Sequence, residues 1–186
     1  MREKNNVKPV KRLRLWNRQS MKMSIEKLGT TFFARVTGIN VAKMTNAQTN
    51  ELQQAYLDHK VLVIEDQSLE AADFDAFGKL FGDTVEHPVK NFAHPDFPKV
   101  MILSNSTRHG KPVGVKDAGS FWHSDRSYME RTADSTVLYS VEIPEEGGDT
   151  LFADLEAIYE SLPNEIKKCI DGRYYISQYR WSVNRG

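Results

Sequence analysis

The order in which apolar periodicities follow one another is what most restricts the folds open to this chain. Val61-Leu62-Val63-Ile64 is a short, wholly apolar run of the kind a buried strand carries. Upstream, residues 31–39 are rich in β-branched and aromatic side chains and close on Gly38, so they read as another strand. Between the two, Asn46 is the expected cap of a helix bearing Leu52, Ala55 and Tyr56 at i, i+3, i+4 spacing. A second helix with Phe74, Phe77 and Phe81 on one side follows. Val137, Tyr139, Val141 and Ile143 alternate with Leu138, Ser140 and Glu142, which predicts a strand over 137–143. A turn over 144–148, a strand over 150–153, a helical stripe (Leu155, Ile158, Tyr159, Leu162), a helix opened by Pro163 and an aromatic strand from Tyr174 complete the pattern. Strands before and after helices, without regular βαβ alternation, argue against a doubly wound sheet. They predict an α+β fold, or a jelly-roll-like barrel with flanking helices.

Composition narrows the function classes. A chain of 186 residues fits one domain with a core of its own. No apolar stretch approaches the ~20 residues that cross a bilayer, and the N-terminus lacks a secretory h-region, so a cytoplasmic protein without a membrane partner is expected. Cys169, the one cysteine, lies in the run Ile166, Cys169, Ile170, where a small buried hydrophobe is the expected role. Residues 1–22 hold eight Lys or Arg against Glu3 alone, which leaves 17 basic and 24 acidic groups for residues 23–186. That acidic remainder argues against nucleic-acid binding by the domain. The basic segment reads as a solvated, disordered tail, or as sequence upstream of a start at Met21 or Met23; Leu13, Leu15 and Trp16 are all that favours a membrane or nucleic-acid arm.

Residues 82–119 form a long irregular stretch, with Pro88, Pro95, Pro98 and Pro112 around the apolar run 100–103; such stretches are more often functional than idle. Just beyond it stands Gly119-Ser120-Phe121-Trp122-His123-Ser124-Asp125. On an extended backbone His123 and Asp125 share a face, their Cα atoms ~6.6 Å apart at a rise of ~3.3 Å per residue. An imidazole and a carboxylate so placed suit iron(II), manganese(II) or zinc. Ser124 points the other way, which argues against a Ser-His-Asp triad. By spacing alone the pair has no more claim than a hydrogen-bonded structural pair. The other His-x-Asp, His94-Pro95-Asp96, reads as a proline-bound turn. Gly147 and Gly148 are explained by turn geometry, and with no Gly-rich loop leading into a Lys-bearing helix a P-loop is excluded.

Taken together, Trp122-His123-Ser124-Asp125, residues 138–144 and Gly147-Gly148-Asp149-Thr150-Leu151-Phe152 resemble the taurine dioxygenase-like (TauD/TfdA) family. Phe81-Gly82, His87-Pro88-Val89 and His59-Lys60-Val61-Leu62-Val63 extend the resemblance to about 25–171. It implies a double-stranded β-helix (a clavaminate synthase-like jelly roll) and dioxygenase chemistry with iron(II), 2-oxoglutarate and dioxygen. It implies His123 and Asp125 as metal ligands and Thr150 as a hydroxyl that binds 2-oxoglutarate. His87 matches a position that contacts the sulfonate in taurine-using members, whereas Lys90 stands in place of their Tyr and Gly119 in place of their Asn. The implied partner is a small organic substrate, with Lys90 suited to an anionic group; self-association stays open. A second His ligand and an oxoglutarate-binding Arg are also implied. No His follows His123, and neither Arg180 nor Arg185 has the matching context. Residues 23–186 are therefore expected to be the N-terminal part of one dioxygenase domain, its barrel incomplete. Two alternatives remain at this point: an inactive fragment or binding module, or a different cupin-like metal enzyme recruiting His87 or His109.

Overall fold

The computed structural model describes residues 22–30, 32–87 and 90–178. Strands β1 (Ser24–Leu28), β2 (Phe33–Thr37) and β3 (Val61–Ile64) form one sheet in the order β1-β2-β3. β1 and β2 are antiparallel, Ile25 opposite Val36; β2 and β3 are parallel, Val36 opposite Ile64. The parallel crossover is helix α1 (Asn46–His59), followed after β3 by α2 (Ala71–Gly78) and a 3-10 turn over Lys79–Phe81. A two-stranded ribbon, β4 (Thr107–Arg108) with β5 (Lys111–Pro112), and two short helices, α3 (Leu155–Ser161) and α4 (Asn164–Ile170), come later. The fold is α+β with small sheets.

The expected β3 appears residue for residue, as its β-branched side chains favour, but it is not the fully buried strand expected: Val61, Leu62 and Ile64 are half-buried and Val63 is 43% exposed. The helix before it starts differently from the expectation. Thr45, not Asn46, is its cap: the Thr45 hydroxyl accepts the Gln48 N–H and the Gln48 side chain accepts the Thr45 N–H, a reciprocal box that satisfies two donors at once. Leu52 and Ala55 from the expected stripe are buried, at 1% and 4% exposure. With Met23, Val36, Ile39, Val41 and Phe77, Leu52 makes the core, and Leu62, Ile64, Phe81 and Val137 pack against it. Aromatic edges close the helical side: Tyr56 on Phe81 and Phe77 on Phe81, both with ring centroids 5.4 Å apart.

Three expected strands are corrected. Over 137–143 no ladder forms among the described residues, nor over 150–153 or 174–178. Period-two burial is present in the first of these, with Ser135, Val137 and Tyr139 partly buried and Thr136, Leu138 and Ser140 exposed. Alternation follows from an extended backbone, but a strand also needs a hydrogen-bonded neighbour. Val141 and Ile143 depart from the pattern, at 84% and 74% exposure. Cys169 is exposed, contrary to the buried role expected of it. The predicted basic tail, apart from Lys22, lies outside the described residues, as do residues 179–186 of the last expected strand.

Candidate functional site

The segment before the candidate pair turns at Gly119, whose φ of 74° lies in the left-handed region. Two residues on, the Phe121 carbonyl sits 2.8 Å from His123 Nδ1. A carbonyl oxygen only accepts, so in this contact Nδ1 carries the proton, which leaves Nε2 as the nitrogen that can offer a lone pair when the ring is neutral. That Nε2 lies 3.3 Å from Asp125 Oδ1. The side chains converge, but no strand carries them; Asp125 lies instead in a turn in which the Ser127 N–H reaches the Ser124 carbonyl at 3.5 Å, followed by one from Arg126 to Met129.

A neutral imidazole nitrogen and a carboxylate oxygen facing each other at this distance repel, unless a proton or a metal ion lies between them. Donors in adjacent positions on one metal ion, each about 2.0–2.2 Å from it, are about 3 Å apart. The observed separation fits a shared metal ion, and it fits equally a proton on Nε2 donated to the carboxylate. The side chains are 42% and 45% exposed, open enough that a simple ion pair would contribute little. The second carboxylate oxygen is taken: the Thr136 hydroxyl donates to Asp125 Oδ2 at 2.6 Å.

The other expected site residues lie on separate loops. Thr150 is exposed, just after the turn in which Gly147 and Gly148 take φ values of 73° and 76°. A side chain at Gly148 would also press on Pro144, 3.0 Å away, so the glycines answer to turn geometry as expected. Lys90 is ion-paired with Glu86 at 3.1 Å, and His87 is half-buried beside it. The link from that loop to the pair is Arg126, whose guanidinium reaches the Glu86 carbonyl at 3.5 Å. His94 and Asp96 form the expected tight turn, the Asp96 N–H donating to His94 Nδ1. Among the described residues no group of three His, Cys, Asp or Glu side chains gathers, so the reading in which His87 or His109 completes a cupin-like site has no geometric support. His109 sits instead in the turn of the β4–β5 ribbon with φ 52°.

Three ties hold the loops against the sheet layer, and none was evident in the sequence. Tyr56 Oη donates to the Asp134 carbonyl at 3.0 Å, and the Leu69 N–H donates to Tyr139 Oη at 3.0 Å. Burial, then the charge of Asp134, pushes the Tyr56 phenol up. Lys60 Nζ bridges Asp154 at 2.9 Å and Glu156 at 2.7 Å. The hydrogen bonds to Glu156 and Asp154 hold the Lys60 ammonium above its ordinary value, and the bond from Lys60 holds the Asp154 carboxyl below its own. A cleft of about 580 Å³ opens beside Lys60 and Asp154 and is not lined by His123 or Asp125.

Comparison with known proteins places this arrangement in context. Pentalenolactone F synthase of Streptomyces arenae is 36% identical over 138 residues, 73% of this chain and 45% of that protein. The (S)-phenoxypropionate/alpha-ketoglutarate-dioxygenase of Sphingobium herbicidovorans is 30% identical over 148 residues, covering 79% and 50%. Among solved structures, AAD-2 in complex with Mn(II) and N-oxalylglycine superposes with a TM-score of 0.55 at 25% identity, over 81% of this chain and 50% of that one. The chain thus spans about half the length of the relatives it matches. The family model described as taurine catabolism dioxygenase TauD, TfdA family matches residues 24–186, and the chain belongs to that family.

Proposed function

We propose that this protein is, or is part of, an iron(II)- and 2-oxoglutarate-dependent dioxygenase acting on a small organic substrate, with His123 and Asp125 as two of the metal's ligands. The observation that carries the reading is the 3.3 Å approach of His123 Nε2 to Asp125 Oδ1, with Nδ1 occupied by the Phe121 carbonyl. A metal-ligating imidazole characteristically gives its other N–H to such a partner, which fixes tautomer and ring orientation. We further read the chain as part of a double-stranded β-helix, with the three-stranded layer and its helices on the flank. A third protein ligand and an arginine for 2-oxoglutarate are not among the residues assigned.

Iron(II) with chelated 2-oxoglutarate, when bound, activates dioxygen and supplies the oxidising chemistry. The chain's part is to hold and orient. His123 presents a fixed lone pair, Asp125 presents one oxygen and carries the charge that favours a cation, and Thr150 is the candidate hydroxyl for the oxoacid. His87 and Lys90 are the candidates for substrate, with Lys90 offering a point charge to an anionic group once it leaves Glu86. Support for a small carboxylate comes from the relative named for (S)-phenoxypropionate.

Anaerobic titration with iron(II) and then 2-oxoglutarate tests the reading. A visible charge-transfer band that grows with 2-oxoglutarate and vanishes in His123→Ala is expected. Iron binding that ignores both the oxoacid and this substitution would contradict it.

A further inference from the structure

The strongest unassigned contact in the region is the short bond from Thr136 to Asp125, and we propose that Thr136 is a positioning residue that keeps Asp125 a one-oxygen ligand. The inference rests on the metal reading above and deepens it. Asp125 has two oxygens, and the structure divides them: Oδ1 faces His123 Nε2, and Oδ2 accepts the Thr136 hydroxyl at 2.6 Å. That length falls in the range of charge-assisted O–H···O⁻ bonds, about 2.5–2.7 Å and roughly twice as strong as neutral ones. An unrestrained carboxylate can rotate and chelate a cation through both oxygens, which takes up a second coordination position. With Oδ2 engaged, that position is left for another donor. Chemistry at a metal with few protein ligands depends on open positions.

Thr136 is itself well anchored. Its neighbour two residues back, Asp134, receives the Tyr56 hydroxyl from α1. The next residue, Val137, packs against the core, and Tyr139 is fixed by the Leu69 N–H and lies 5.8 Å from the Phe74 ring. The hydroxyl therefore projects from a backbone pinned on both sides, on the exposed face of the stretch, while its neighbours carry the packing. Removing the hydroxyl while keeping the shape should leave the fold and change the carboxylate.

Mn(II) is the probe, followed by loss of the free-ion paramagnetic resonance signal on titration of the full chain. Thr136→Val is expected to weaken Mn(II) binding about 10-fold, the lower end of what partners of metal ligands contribute. Thr136→Ser, which keeps the hydroxyl, is expected to bind as the parent does. In an Asp125→Ala background, where no side-chain acceptor is left for the hydroxyl, the Val substitution should add nothing; an effect of Thr136→Val that persists there would reveal a merely structural role and overturn the proposal. Unchanged Mn(II) binding by Thr136→Val, with binding still lost in His123→Ala, overturns the Thr136 role and leaves the metal reading standing. Mn(II) binding that survives His123→Ala removes the metal reading, and the Thr136 role with it.

Discussion

The two halves of the described chain are built on different terms. From Met23 to Phe77 the protein has a core: every buried hydrophobic side chain among the described residues belongs to this stretch. From Phe121 onward the large apolar side chains are mostly open, with Leu138 at 57%, Leu151 at 71% and Ile176 at 94% exposure. Yet the candidate site lies in the second half. The first half stabilises itself by burial. The second is held to it by a few directed ties, from Tyr56, Leu69, Lys60 and the Phe33–Phe152 edge contact at 5.6 Å. A site can thus be placed accurately on a segment that has little core of its own, provided its anchor points are fixed.

The largest effect that separates the halves is core truncation. Leu52→Ala should destabilise the sheet layer by about 2–5 kcal/mol, whereas Val141→Ala should fall within about 0.5 kcal/mol, both read from denaturant unfolding. Equal losses would erase the distinction. Next is Tyr56→Phe, which deletes one hydrogen bond and should cost about 0.5–1.5 kcal/mol. The sharper readout is amide exchange: faster around 134–139, unchanged in β2 and α1. If α1 itself loosens, Tyr56 serves the core and not the tie.

The smallest effect is on pH. The Lys60 ammonium is raised in the folded state, so its contribution is complete below the ordinary lysine range and fades as pH rises through the raised value. The Asp154 carboxyl is lowered, so its contribution is present above the ordinary carboxylate range and is lost as pH falls through the lowered value. The tie of α3 should hold across the neutral range and fail at both extremes. Lys60→Met should flatten the acid limb of α3 protection in hydrogen exchange. An acid limb unaltered by that change would mean other groups set it.

How much of this the sequence could disclose depended on whether the signal was local. The Leu52–Ala55 stripe was legible because burial writes itself into helically spaced residues, and β3 because a run of apolar, mostly β-branched residues favours a strand even half-buried. β1 was not, since three of its five side chains are exposed and what makes it a strand is pairing with β2. The alternation over 137–143 was real at Val137 and Tyr139, but no spacing reveals whether a neighbour will supply a ladder. At the candidate site, the approach of His123 to Asp125 was legible in their two-residue spacing. Thr136 was not: it comes eleven residues later on a different stretch, and only the fold returns it to the carboxylate.

X-ray absorption at the iron edge of the anaerobically loaded chain addresses the central claim most directly. Imidazole outer-shell scattering is expected together with oxygen donors at about 2.0–2.2 Å, with the imidazole contribution gone in His123→Ala. A spectrum of oxygen donors alone, identical in the parent and in that variant, would contradict it.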